Sequence, residues 1–224
     1  MPKKKRLGPV DWMQYLPSPV IGVDEVGRGC LAGPVVAAAV VLSGYIKRKT
    51  FFDSKTLTET RRQELSLLVQ FEHAWCLGFA SVEEIDRLNI FHASLLAMRR
   101  AVNGLKLAGG HILVDGKFVI PKLPGFQQTA LVKGDSRAQP ISAASIVAKV
   151  ARDRWMKGLA ERIPGYGFEI HKGYGTARHR SALAKLGPCE FHRRSFAGIG
   201  ETFASHGVAS RRISLPKRLD QALS

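Results

Sequence analysis

Short apolar runs alternate along the chain with longer stretches in which apolar positions recur every three or four residues. Val20–Val26 and Pro34–Leu42 read as two buried strands joined by a glycine-rich turn. Further strands are predicted at Ala74–Ala80, His111–Asp115 and Gln128–Val132. Thr58 can start a helix whose apolar stripe runs through Leu65, Leu68 and Val69. Ser81 with Glu84 forms a capping-box signature for a helix from Val82, and Asn89 can cap a helix over Ile90–Leu105 with Leu95, Leu96 and Val102 on its apolar face. Ile141–Ile163 is the longest helical signal. It is rich in small residues (Ala143, Ala144, Ala148, Ala151), which let a helix lie close to a sheet. Strands alternating with helices predict an α/β layer fold, and there is no internal repeat.

The pattern changes near the ends. Residues 1–18 carry Lys3, Lys4, Lys5 and Arg6 and then prolines, and read as a basic flexible arm. From His171 on, ten Lys and Arg face three acids, as in a small helical lobe (about 165–205) followed by a basic tail (206–224). The expected organisation is therefore an arm, a catalytic domain over 19–205, and a tail. At 224 residues and 45% hydrophobic content the chain can bury a real core. Its 34 Lys and Arg against 18 Asp and Glu give a formal charge of +16, which favours a polyanionic partner, most simply nucleic acid. Cys30, Cys76 and Cys189 form no C-x-x-C pair and suggest neither a zinc site nor a disulfide framework. No apolar run is long enough for a membrane span and no signal peptide is seen, so a cytoplasmic setting without membrane contact is expected.

In so basic a chain, acids inside apolar segments stand out. Asp24 and Glu25 interrupt the first strand, and a buried ionised carboxylate is costly unless it is paired or holds a metal. Asp115 ends a strand before Gly116, and Asp135 follows Lys133 and Gly134. Asp153 lies between Arg152 and Arg154 and reads as a local ion pair. Gathered carboxylates repel one another, and oxygen-only ligands favour Mg²⁺ or Mn²⁺ over zinc. Neighbouring strand residues point to opposite faces, so Asp24 and Glu25 share one site only if the strand ends or bulges there. Gly27, Arg28 and Gly29 follow directly, a loop whose backbone can approach a ligand closely and whose guanidinium suits a phosphate. Acids for a metal next to a loop for a polyanion point to a nuclease.

At these residues the chain resembles ribonuclease HII, the type 2 ribonuclease H. The likeness runs from about Val20 to Ile199. It takes in Asp24 to Gly29, Gly33 to Val36, Asp53-Ser54-Lys55, Val114-Asp115-Gly116, Lys133-Gly134-Asp135, Ser142 to Val150, Arg152-Asp153, Tyr166 to Phe168, His171 to Thr176 and His192 to Phe196. The resemblance implies a ribonuclease H-like fold: a mixed five-stranded sheet flanked by helices, with a C-terminal helical lobe. It implies cleavage of the RNA strand of RNA/DNA hybrids and incision 5′ to single ribonucleotides in duplex DNA, leaving a 3′-hydroxyl and a 5′-phosphate, with two Mg²⁺ or Mn²⁺ ions. By the same resemblance Asp24, Glu25 and Asp115 are metal ligands, and Asp135 completes the metal site or assists the leaving group. Gly27, Arg28 and Gly29 sense the 2′-hydroxyl through the backbone, and Tyr174 packs on the sugar of the next, DNA-type nucleotide. Lys55, Lys149 and Lys172 contact phosphates. Thr56 stands where the family commonly has a second lysine, which puts one phosphate contact in question.

Three rival readings fit the sequence less well. Ribonuclease HIII carries an extra N-terminal domain and usually lysine at the Arg28 position, whereas 19 residues precede the first strand here. A dead hybrid-binding protein has no need of four acids that repel phosphate. A basic binding module of another fold does not account for apolar strands that end in acids. The expected state is a single subunit, with the tail open to contact with a replication or repair protein.

Overall fold

In the computed structural model the described residues are 7–43, 50–51 and 57–200. Lys55, the lysine run of the arm and the tail from 206 lie outside them. Five strands, β1 (Val20–Val26), β2 (Val35–Val41), β3 (Ala74–Ala80), β4 (Gly110–Asp115) and β5 (Phe126–Leu131), form one sheet in the order β3-β2-β1-β4-β5. β1 runs antiparallel to β2 and parallel to β4, and β4 runs parallel to β5. The sheet is thus mixed, with β1 at its centre, as expected of a ribonuclease H-like α/β fold. β2 starts one residue after Pro34, because proline has no amide hydrogen for a ladder. The longest helix, α4 (Gln139–Arg162), and the helices α1 (Glu59–Glu72), α2 (Val82–Leu88) and α3 (Ile90–Gly104) fall within a residue or two of the sequence reading. Their caps account for this. Thr58 Oγ1 accepts the Arg61 amide, Ser81 and Glu84 exchange both capping-box bonds, and Asn89 Oδ1 accepts the Phe91 and His92 amides.

The described residues divide into two compact units. The first falls within Met1–Val26, Val36–Phe79 and Leu95–Val150, and the second within Gly27–Val35, Ala80–Ser94 and Ala151–Ser224.

The first unit holds the sheet. Ala38, Val40, Leu65, Val69, Ala143, Ala144, Ile146 and Val147 pack together, uniting β2, α1 and the start of α4. The small residues of α4 do what their size suggested. At Gly22 on β1, a Cβ would lie 1.9 Å from the Pro140 carbonyl carbon, so the helix start rests on bare strand backbone. The stretch read as a flexible arm carries structure from residue 8. Asp11 caps a single helical turn over Trp12–Tyr15, Val10 donates to the Arg137 carbonyl, and the Tyr15 ring stacks on His111 at 3.8 Å. Val10, Trp12 and Tyr15 bury enough apolar surface against Val20, Leu113 and Ile141 to hold the segment down.

The second unit has its own core of Leu31, Met156, Leu159, Phe168, Leu183 and Phe191. It contains α2, the short α5 (Phe168–His171) and α6 (Ala177–Leu186), the last two falling in the stretch read as a helical lobe. Within it three histidines far apart in sequence converge. His171 stacks on His179 at 4.3 Å, and His179 Nε2 lies 3.1 Å from His192 Nε2. Burial holds His179 down to about 4 and His192 to about 3, and it lowers His171 as well. The unfolded chain therefore takes up protons below about pH 6.5 that the folded chain refuses, so stability is lost as pH falls from that value toward the folded ones. Two such groups cost about 2–3 kcal/mol per pH unit between pH 6 and 5. Thermal melts should show Tm dropping across that interval in the wild type and dropping less in His192→Gln. An identical pH slope in both would refute the assignment.

Candidate active site

The acids of the first unit are set by strand register. The parallel pairing of β1 and β4 runs from Val20↔His111 to Val23↔Val114. Asp24 and Asp115 are the next residue on each strand, so they stand side by side on one face, about 5 Å apart at the backbone. Asp24 is 6% exposed. Burial, then the charges of Glu25 and Asp115, push its carboxyl well above the usual carboxylate range. Hydrogen bonds from the Ser145 side chain and the Glu25 amide (2.7 Å) pull the other way without cancelling this. Asp115 is fixed by the Gly134 amide, which donates to its Oδ1 at 2.6 Å. Asp135, the next residue, is 5% exposed within a short turn over Gly134–Ser136.

Glu25 departs from one expectation. β1 shows no bulge, because its ladder with β2 runs evenly through Asp24↔Ala38, Glu25↔Ala37 and Val26↔Val36. A regular pleat turns Asp24 and Glu25 to opposite faces, and they act on each other through charge. Among the described residues no group of three or more His, Cys, Asp or Glu side chains is arranged to hold a metal ion. The donor set nevertheless suits a hard divalent cation. Its ligands are carboxylate oxygens, and Asp24 carries a charge that its neighbours disfavour and a cation would relieve.

The glycine-flanked loop belongs to the second unit. Gly27 has φ +95°, and a Cβ there would lie 2.2 Å from Arg152 Nε, so both backbone and space demand glycine. Arg28 and Gly29 are exposed. The Arg152 guanidinium turns inward. It donates to the carbonyls of Pro34 (3.0 Å), Lys172 (2.8 Å) and Ala32 (3.1 Å). Arg193, also fully buried, donates to the carbonyls of Gly27, Arg28 and Gly33. Tyr174 pairs across an isolated bridge with Cys30 and leaves 39% of its surface exposed. Burial, with Cys30 beside it, raises its hydroxyl pKa. The Lys172 ammonium turns back onto the Glu169 and Ile170 carbonyls, and Lys149 is half-buried on α4.

Four residues of this machinery escaped the sequence reading: Ser145, Gly134, Arg152 and Arg193. Each lay inside a stretch that carried the resemblance, but nothing local shows a hydroxyl reaching Asp24 or a guanidinium folding inward.

The profile of the ribonuclease HII family matches residues 21–199. The chain belongs to the ribonuclease HII family. It is 53% identical over 201 residues to a ribonuclease HII of Delftia acidovorans (strain DSM 14801 / SPH-1), covering 89% of this chain and 83% of that one. It is 52% identical over 187 residues to one of Nitrosospira multiformis (strain ATCC 25196 / NCIMB 11849 / C 71), covering 83% and 93%. Among solved structures, the RNase HII of Archaeoglobus fulgidus, determined as a complex with PCNA, is similar with a TM-score of 0.69 and 26% identity. That match covers 88% of this chain and 98% of that chain. The ribonuclease H2 of Pyrococcus horikoshii OT3 is also similar, with a TM-score of 0.69, 25% identity, and 83% and 97% covered. As a family member the chain is a ribonuclease H enzyme. Among the described residues no helix is long and apolar enough to cross a membrane.

Proposed function

We propose that the chain is an endonuclease that hydrolyses the RNA strand of RNA/DNA hybrids and incises 5′ to single ribonucleotides in duplex DNA, leaving a 3′-hydroxyl and a 5′-phosphate. The observation that carries this is the register pair of buried Asp24 and half-buried Asp115, where Asp24 carries a charge that its surroundings disfavour and a cation would relieve. Asp24, Asp115 and Asp135 would hold Mg²⁺ or Mn²⁺, two ions in the active state, with Glu25 joining them where β1 ends, and the ions would supply charge for the attacking and leaving oxygens of the phosphodiester. Ser145 and the Gly134 amide keep Asp24 and Asp115 aimed, and Asp135 completes the metal site or assists the leaving group. Gly27, Arg28 and Gly29 read the ribose, since a 2′-hydroxyl is what separates RNA from DNA at one site. Tyr174 packs on the following sugar. Lys149, Lys172 and Lys55 meet phosphates, Lys172 only after releasing the carbonyls it now holds. The chain acts as a single cytoplasmic subunit, and its tail is where a replication protein would dock, in keeping with the PCNA complex of the archaeal relative.

The test is a labelled DNA duplex with one ribonucleotide, incubated with Mg²⁺, with Mn²⁺ and with EDTA. A single nick 5′ to the ribonucleotide, abolished by EDTA, is expected. A pure protein that never cuts this duplex under either ion would refute the reading. If about six phosphates are neutralised, log affinity should fall against log salt with a slope near −5. A flat dependence would remove the electrostatic part.

A further inference from the structure

Arg193 is 0% exposed and has no carboxylate among its hydrogen-bond partners. Its Nη2 donates to the Gly27 carbonyl at 2.7 Å, its Nη1 to the Arg28 carbonyl at 2.9 Å, and its Nε and Nη2 to the Gly33 carbonyl at 3.0 and 2.8 Å. A buried cation that spends its donors on loop carbonyls is dictating how those peptides face.

The consequence follows from peptide planarity. The only cis bond among the described residues is Leu16–Pro17, so the Gly27–Arg28 and Arg28–Gly29 bonds are trans. In a trans peptide the carbonyl and the following amide point in opposite directions. With the Gly27 and Arg28 carbonyls drawn in to Arg193, the Arg28 and Gly29 amides must project away from it, on the two residues of the loop that are exposed. Arg193 is itself anchored. Its amide donates to the Leu31 carbonyl, its guanidinium lies 5.0 Å from the Phe196 ring centroid, and Asp86 on α2 accepts the amides of Arg194 and Ser195.

We infer that Arg193 is a positioning residue for ribose recognition: by holding the Gly27 and Arg28 carbonyls it turns the Arg28 and Gly29 amides outward as a pair of donors for a sugar hydroxyl. This rests on the proposed ribonucleotide reading of the loop. Lysine cannot replace it, because one ammonium cannot span three carbonyls in the fixed fork of a guanidinium.

The experiment compares wild type and Arg193→Lys for affinity to duplex DNA with one ribonucleotide and to the all-DNA duplex, with folding checked by circular dichroism. A merely structural defect lowers the active fraction for both duplexes alike and leaves their ratio unchanged. A positioning role lowers the ratio roughly tenfold, a loss of one decade in discrimination, with all-DNA affinity held. A ratio within about twofold of wild type would overturn the inference. Amide hydrogen exchange on the wild type decides the matter even if the variant fails to fold. The Gly29 amide should exchange fast in the free protein and become protected by the ribonucleotide duplex only, whereas a Gly29 amide already protected in the free protein would overturn the inference. If the wild type binds both duplexes equally, the ribonucleotide reading fails, and the inference with it. The exchange rate of the free protein would then still show which way the Gly29 amide faces.

Discussion

Asp24→Asn should reduce cleavage of a ribonucleotide-containing duplex by about three orders of magnitude or more, the scale on which about 4 kcal/mol of transition-state stabilisation acts. The same change should make the protein more stable in EDTA. Asp24 is buried beside Glu25 and Asp115, which raise its carboxyl pKa, so its charge costs folding energy at neutral pH. Asparagine keeps an oxygen for the Glu25 amide and the Ser145 hydroxyl and sheds the charge. Mg²⁺ or Mn²⁺ should raise the wild-type Tm and leave that of the variant nearly unmoved, since an ion stabilises only the state that binds it. Melts with and without ion, alongside single-turnover cleavage, check both halves. Retained turnover refutes the catalytic role, and a lowered Tm in EDTA refutes the electrostatic account.

The second large effect separates two neighbouring glycines. Gly29→Ala should fold as the wild type does, because its φ is not left-handed and a Cβ there meets nothing within 4 Å. The fold gives no reason for glycine at this position, and close approach of a ligand does. The variant should therefore keep its Tm and lose about tenfold or more in affinity for a ribonucleotide-bearing duplex, a decade being about 1.4 kcal/mol. Gly27→Ala should lower Tm by several degrees as well. Its φ of +95° and the 2.2 Å approach to Arg152 Nε penalise any side chain, and Arg152 cannot yield while it donates to three carbonyls. Equal Tm losses in the two variants would contradict this division.

Much of the fold was legible because its signals are local. Short apolar runs marked β1 and β2, and Thr58, Ser81 and Asn89 announced their helices through caps that read the same in sequence and structure. Asp24 and Asp115 stood out as acids in apolar strands, but their pairing depends on the β1–β4 register, which no single segment encodes. Glu25 shows the limit differently. A bulge was the natural way to bring it to the face of Asp24, and the β2 ladder runs evenly past both. Sequence shows only the neighbours of Arg152, whereas its guanidinium reaches carbonyls more than a hundred residues earlier. The histidine cluster was invisible for the same reason. The single turn over Trp12–Tyr15 was missed because a basic run and prolines dominate that stretch, and the aromatics that pin it need β4 to be in place.

The antiparallel register of β1 and β2 sets Asp24 directly across from Ala38 and Glu25 across from Ala37. Beside each of these acids the opposing strand thus supplies a single methyl group. On the face of Asp24 that methyl belongs to Ala38, which is fully buried in one cluster with Leu65, Ala143 and Ala144. A branched residue at 38 would press on the start of α4, whose Ser145 holds Asp24, and so would unsettle that acid without touching it, whereas one at 37 would act on the face of Glu25.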